Sequence, residues 1–332
     1  MTSTRYDVVA IGNAIVDVLS KADDAFIAER ALAKGSMQLM FSMDEAEALY
    51  SAMGPGVEIS GGSAANTVAG IAALGGRTGF IGQVADDQLG HVFAHDIKAV
   101  GVDFTTAPRP GEPSTARCLI LVTPDGQRTM NTYLGASQFL PEAALDLGMI
   151  RSASILYLEG YLWDPEEPRA AMRAAIAASR EAGMRIALTL SDVFCISRHR
   201  ADFIELIYGG SVDILFANEA EIVSLTEQDN LEDALQAIAP RVPLLVVTCG
   251  ADGAMALQGG ERVTVDAEPI DQVVDTTGAG DLFAAGFLHE QAQGLDLKRS
   301  LTAGAVCAAE VISHIGARPV ADIKALVTAR IG

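Results

Sequence analysis

The sequence predicts an α/β fold: a mostly parallel central sheet with helices on both faces, joined to a small β-sheet lid. Short β-branched runs alternate with alanine-rich segments of helical period, the pattern of a parallel sheet covered on both sides. Hydrophobic residues make up 50% of the chain, charged residues 20%, and there are 32 glycines, which fits a folded, glycine-punctuated globule and not a disordered or disulfide-held chain. At roughly 150 residues per domain, 332 residues allow one large domain or two smaller ones.

Each element has its own justification. Val8–Gly12, Thr78–Val84, Ser154–Leu158, Arg185–Leu190, Asp213–Ala217 and Leu244–Thr248 are short apolar runs bounded by turn residues, and read as strands. Helical period marks Asn66–Leu74, Gln88–Val100, Glu166–Ala182, Glu219–Leu225 and Leu231–Ile238. Asp281–Gln293, Leu297–Ser313 and Val320–Ile331 close the chain as helices. Two stretches break the rhythm. Ala14–Lys21 with Met37–Phe41, and Thr115–Val122 with Gln127–Leu134 across the turn Pro124-Asp125-Gly126, read as antiparallel strand pairs without intervening helices. The run from Pro108 to Pro113 is a natural hinge. Residues 13–43 and 109–135 are therefore expected to form the lid, and 1–12, 44–108 and 136–332 the larger unit. The chain shows no internal repeat and no low-complexity segment.

Charge narrows the function classes. The 43 acidic residues against 23 basic give a net charge of −20, a field that repels polyanions and argues against nucleic-acid or anionic-membrane partners. A phosphate site must then rely on backbone donors, local cations or a metal. The segment Met1 to Asp7 is polar, and no apolar run reaches the ~18 residues that span a bilayer, so a cytoplasmic protein is expected. Cys118, Cys195, Cys249 and Cys307 are far apart and show no metal-ligand spacing, as free thiols do. His91 and His95 share a helical face but lack an acidic third ligand at a telling offset.

Five segments can carry chemistry. In Asp275-Thr276-Thr277-Gly278-Ala279-Gly280-Asp281, small residues at a helix start let the amides of Gly278, Ala279 and Gly280 converge on an anion such as a phosphoryl group, or form a tight strand-to-helix turn whose Asp281 merely caps the helix. Gly61-Gly62-Ser63-Ala64-Ala65-Asn66 again opens a helix; its paired glycines permit close backbone approach, and Asn66 offers donor and acceptor to a vicinal diol. Gly12-Asn13-Ala14-Ile15-Val16-Asp17 follows the first strand with a carboxylate able to accept from sugar hydroxyls. Asn218-Glu219-Ala220-Glu221 can reach the water shell of a magnesium ion through Asn218 and Glu221, or can simply cap a helix. Thr248-Cys249-Gly250-Ala251-Asp252-Gly253 is a turn suited to a triphosphate through Thr248, Gly250 and Gly253, and otherwise an ordinary loop. Strand carboxyl ends are where open α/β sheets place ligands, and these segments fall there.

In that order, the glycine pair with Asn66, the Asn218–Glu221 segment, the Thr248–Gly253 turn and the Asp275–Asp281 signature resemble the ribokinase-like, or PfkB, carbohydrate and nucleoside kinases. The resemblance spans essentially the whole chain. Within it the adenosine kinase branch is most similar, on Gly12-Asn13 with Asp17, Gln38, Gly160-Tyr161-Leu162, Leu190-Ser191 with Phe194, and Val212–Phe216 with Asn218-Glu219. The resemblance implies ribose contacts from Asp17, Gly62, Asn66 and Asp281. It also implies a purine slot from Phe194 and the neighbourhoods of Leu162 and Gln38, with Leu162 where an aromatic is expected and Tyr161 or Trp163 able to substitute. It further implies a potassium ion held by Asp275 and backbone carbonyls near Thr277. Phosphoryl transfer itself calls for Asp281 to accept the hydroxyl proton, for magnesium to neutralise the bridging phosphates of ATP, and for a lid that excludes water, with Arg128 on its strand either approaching the phosphates or remaining a solvated charge.

Transfer of the γ-phosphate of ATP to the 5′-hydroxyl of a purine nucleoside, adenosine first, is the expected activity, with small molecules as partners and the chain a monomer or homodimer. A sugar kinase acting on ribose, fructose or a similar polyol would keep every catalytic feature. A non-catalytic nucleoside sensor is disfavoured by the presence of Asp281, and a dehydrogenase by the lack of a GxGxxG after the first strand.

Overall fold

Alternating apolar and helix-forming segments become stacked layers in the computed structural model, which describes residues 6–332; the start of the polar N-terminal segment lies outside the described residues. The strands are β1 (Tyr6–Ile11), β2 (Ile15–Lys21), β3 (Met37–Met40), β4 (Gly56–Gly61), β5 (Thr78–Ile81), β6 (Val102–Phe104) and β7 (Ala116–Val122). They continue with β8 (Arg128–Tyr133), β9 (Ala153–Glu159), β10 (Arg185–Thr189), β11 (Ile214–Asn218), β12 (Leu244–Thr248), β13 (Ala254–Gln258) and β14 (Glu261–Val265).

The larger sheet runs β14-β13-β12-β11-β10-β9-β1-β5-β6. Every pairing from β6 across to β12 is parallel, and β13 and β14 fold back to add an antiparallel edge that the sequence did not announce. Parallel strands covered on both faces must be apolar on both, and the side-chain period of two then divides the core. Val8, Ala10, Tyr157, Ala187 and Phe216 pack with the helices Ser63–Leu74, Ala279–Ala292 and Leu297–Val311. Val9, Ile11, Leu158, Leu188 and Leu215 pack with the helices Glu166–Glu181, Val193–Tyr208, Glu219–Thr226 and Leu231–Ile238. The helix Val193–Tyr208 escapes the sequence pattern because three basic residues, Arg198, His199 and Arg200, interrupt its apolar stripe at a kink. All four cysteines are buried free thiols.

The smaller sheet has the order β3-β8-β7-β2-β4. The hairpin β7–β8 forms as expected. The pairing expected between Ala14–Lys21 and Met37–Phe41 does not: β2 lies parallel to β7 and antiparallel to β4, while β3 runs parallel to β8. Long-range register is decided here by which faces can be buried, and a local hairpin rule cannot see it. Strand β4, paired with β2, and the helix Met43–Ala52, which lies against β7 and β8, attach residues from the 44–108 stretch to this smaller sheet rather than to the larger unit.

One face of the smaller sheet packs into the core through Val16, Val18, Leu119 and Leu121. The alternate residues, Ile15, Asp17, Met37, Leu39, Cys118, Ile120, Met130 and Thr132, face the carboxyl ends of the larger sheet. Helices Ser63–Leu74 and Ala279–Ala292 meet at Gly70, where an added Cβ would come within 2.7 Å of both Ala285 Cβ and Leu282 Cδ1. Glycine to alanine in an exposed helix normally gains about 1 kcal/mol. Here overpacking reverses the sign, so Gly70→Val should lower the unfolding free energy in urea by about 1–3 kcal/mol. Unchanged stability would mean that the two helices are not in close contact.

Candidate active site

The cleft between the two sheets encloses about 750 Å³. Its floor is made by residues leaving β1, β9, β10 and β11 at their carboxyl ends, and its roof by the inner face of the smaller sheet. Two helix N-termini open into it. The helix Ser63–Leu74 starts at Gly62 (φ 101°) and the helix Ala279–Ala292 at Gly278 (φ 80°), left-handed positions that favour glycine; neither glycine caps its helix, but Ala64 N donates to the Glu159 carboxylate and Ala279 N to the Thr276 carbonyl. The remaining amides and the positive dipole end make the Gly278 end an anion site in principle, while the Gly62 end already holds the Glu159 carboxylate.

Asp281, in the first turn of its helix, ties the two together. Its Oδ1 accepts from Ser63 Oγ at 2.6 Å and its Oδ2 from Asn66 Nδ2 at 2.9 Å, while its backbone carbonyl accepts from Thr67 Oγ1 at 3.1 Å. Burial raises its pKa, and the Ser63 and Asn66 hydrogen bonds and the Arg318 charge work the other way. Asp17, on the roof, is pushed up to about 6 by burial, against the lowering charges of Arg318 and Arg128.

Asn13, Asp17, Gly62, Asn66, Phe194, Asn218, Glu221, Thr248, Thr277, Gly278, Ala279, Gly280 and Asp281 all line this cleft. Phe194 stands 73% exposed on the first turn of its helix. Asn13 is already held by the framework: it donates to Glu159 Oε1 at 2.7 Å and accepts from Ser137 Oγ at 2.8 Å.

Four residues expected in the site are elsewhere. Gln38 alternates with Met37 and Leu39 on β3, so its side chain leaves the opposite face and donates to Asn131, its cross-strand partner, at 2.5 Å. Leu162 is fully buried in the core beside Trp163, and Tyr161 reaches the cleft in its place, its hydroxyl donating to the Ser191 carbonyl at 3.2 Å. Gly250 and Gly253 bound the short 3-10 turn from β12 into the antiparallel β13 and do not line the enclosed cleft, which Thr248 of the same segment reaches.

Asn218 and Glu221 form a complete capping box, with Glu221 N donating to Asn218 Oδ1 at 2.8 Å and Asn218 N and Nδ2 donating to the Glu221 carboxylate at 3.0 and 2.7 Å. Burial pushes Glu221 up to about 7 despite the Asn218 backbone hydrogen bond. An oxygen-only pair with a carboxylate that a cation would bring back to the ionised form fits hydrated magnesium. No group of three or more His, Cys, Asp or Glu converges among the described residues, so this pair fits an ion that arrives with phosphates rather than one held in a protein cage.

Asp275, expected beside a potassium ion, is engaged by the protein itself. Asp275 Oδ1 accepts from Thr277 N at 3.1 Å and Thr277 Oγ1 at 2.7 Å. Its Oδ2 accepts from Gly316 N at 3.0 Å and forms a buried ion pair with Arg128.

Two residues were not singled out by sequence. Glu159, at the end of β9, accepts from Asn13 N and Nδ2 and from Ala64 N at 2.8 Å, joining two cleft loops, and burial pushes it up to about 7. A carboxylate closing the apolar run Ile155–Leu158 was its visible signal. Arg318 donates to the carbonyls of Ser60 and Ala65, and burial lowers it to about 10. Nothing local marks it, since the contact spans most of the chain.

The sequence matches the family described as pfkB family carbohydrate kinase over residues 32–324. The chain belongs to that family. It is therefore a phosphotransferase with a hydroxyl group as acceptor. An adenosine kinase from Sinorhizobium meliloti is 47% identical with a TM-score of 0.90, over 98% of this chain and 99% of that one. A probable sugar kinase from Rhizobium etli CFN 42 is 45% identical with a TM-score of 0.91, over 98% of each chain. Probable fructokinase-6, chloroplastic, of Arabidopsis thaliana is 31% identical over 80% of this chain and 72% of its own length.

The raised carboxylates predict the acid side of the pH response of this kinase. Asp17 at about 6, and Glu159 and Glu221 at about 7, take up protons as pH falls through that range, whereas ordinary carboxylates would stay ionised down to about pH 4. The acid limb of kcat/KM should therefore have its midpoint at or above pH 6. Full kcat/KM at pH 5 would show that these groups do not matter to turnover.

Proposed function

We propose that the protein transfers the γ-phosphate of ATP to the 5′-hydroxyl of a purine nucleoside, with adenosine the first choice. The observation that carries this reading is the apolar half of the cleft. Met37, Leu39, Ile120 and Met130 on the roof, with the exposed ring of Phe194 and with Tyr161 at the side, offer a base-sized apolar wall that a free sugar has no use for. Asp17, Gly62 and Asn66 supply the polar floor for a ribose. The likeness to the Sinorhizobium meliloti adenosine kinase supports the same acceptor.

Phosphoryl transfer needs positioning and charge stabilisation more than bond-making by the protein. The amides of Gly278, Ala279 and Gly280 hold the transferring group, and Asp281 takes the proton of the attacking hydroxyl while Ser63 and Asn66 fix its carboxylate. Asn218 and Glu221 would hold the water shell of magnesium, which when bound supplies countercharge to the bridging phosphates. The lid excludes water that would otherwise hydrolyse ATP. The enzyme is taken to act in the cytoplasm as a monomer or homodimer; no helix among the described residues is long and apolar enough to cross a membrane.

A second reading has its own support: the Rhizobium etli relative is a probable sugar kinase and curated relatives are fructokinases, and the polar floor alone would serve a ribose- or fructose-sized acceptor. A panel of nucleosides and sugars with ATP and magnesium, followed by ADP release, separates the two. Adenosine should be preferred at equal concentration, and a preference for ribose or fructose would replace the nucleoside reading by the sugar one.

Two substitutions test the roles. Asp281→Asn should lower kcat by about 10²- to 10⁴-fold with nucleotide still bound, and wild-type turnover would remove Asp281 from the mechanism. Base stacking contributes about 1–3 kcal/mol in single-strand nucleic-acid sites, so Phe194→Ala should lower kcat/KM for adenosine by roughly 5- to 150-fold and leave free sugars almost untouched. Equal loss for every acceptor would make Phe194 a packing residue.

A further inference from the structure

We infer that Arg128 is a built-in monovalent cation of this kinase, delivered to Asp275 by the lid, and that the enzyme needs no potassium ion there. The inference rests on membership of the kinase family and not on the choice of acceptor.

Arg128 opens β8 on the smaller sheet, and Asp275 lies three residues before Gly278, on the loop that feeds the anion-binding helix. The two side chains are 7% and 5% exposed, so their pairing is a buried contact between lid and catalytic loop. Arg128 Nη1 also donates to Thr277 Oγ1 at 3.2 Å. With Thr277 N, Thr277 Oγ1 and Gly316 N on the same carboxylate, Asp275 has no oxygen left for a metal ion.

The pairing has a chemical purpose. A buried carboxylate next to the place where phosphoryl charge accumulates would oppose that charge, and the surplus of acidic residues makes a general countercharge unavailable. A guanidinium neutralises Asp275, so its charge does not oppose the phosphoryl charge that gathers at the Gly278 end of the helix. Because this cation is carried by a lid strand, neutralisation is complete only when the lid is down, so closure and completion of the anion site are one event. The latch is not saturated: Arg128 Nε is buried without a partner among the described residues, which favours a contact that can release again.

The experiment compares wild type with Arg128→Met in potassium, sodium and choline chloride at equal ionic strength, and locates thallium(I), a heavy stand-in for potassium, by anomalous scattering in crystals of both. Wild-type rates should agree within about twofold across the salts, with no thallium beside Asp275. Arg128→Met should lose at least about tenfold in kcat in choline, regain much of it in potassium, and show thallium at Asp275. Potassium activation of the wild type by fivefold or more, thallium beside Asp275 in the wild type, or an Arg128→Met enzyme equally slow in every salt would overturn the inference. If the variant does not fold, the wild-type salt series and crystals still decide. The thallium arm reads the site whether the acceptor is a nucleoside or a sugar.

Discussion

The hydrogen bonds from Ser63 and Asn66 to Asp281 join the two helices whose N-termini make the centre of the cleft. They exist because Gly70 lets the helices Ser63–Leu74 and Ala279–Ala292 approach closely, and because both start on left-handed glycines at the same cleft. A carboxylate held in this way keeps its orientation, and burial keeps it basic enough to accept a proton. Glu159 and Arg318 extend the same scaffold: one ties the loop after β1 to the start of the first helix, the other ties the chain's last loop to the residues on either side of Gly62.

The charge of the chain explains why the site is built from backbone. With a net charge of −20, lysine-rich phosphate capture would work against the field of the whole molecule. Two arginines near the carboxylates, Arg128 and Arg318, are both spent on internal groups: Arg128 on Asp275 and Arg318 on backbone carbonyls. Helix dipoles and amides, which need no lysine, remain to meet the phosphates, together with the metal that phosphates bring.

Much of this architecture was legible in sequence, and the omissions have physical causes. The parallel strands could be read because burial on both faces forces continuous apolar runs, and the glycine-led helix starts because few other residues adopt those backbone angles. The register of the smaller sheet could not, since β2 pairs with β4 and β7 across distances at which no local turn rule operates. Gln38 and Leu162 illustrate the two ways a site residue is misjudged. For Gln38 the strand was right and the face wrong by one residue; for Leu162 the turn was right, but its neighbour Tyr161 points to the cleft. Asp281 needed neither register nor face, because its place in the first turn of a glycine-led helix is fixed by the adjacent residues themselves.

The most direct measurement is the distance from the acceptor hydroxyl oxygen to the Asp281 carboxylate in a crystal of the complex with adenosine and a nonhydrolysable ATP analogue. With Asp281 as the base, that oxygen stands about 2.6–3.2 Å from a carboxylate oxygen, with the terminal phosphoryl group at the Gly278–Gly280 end of its helix. A hydroxyl held instead against Asp17 or Glu159, with the phosphoryl group away from that helix end, would contradict it.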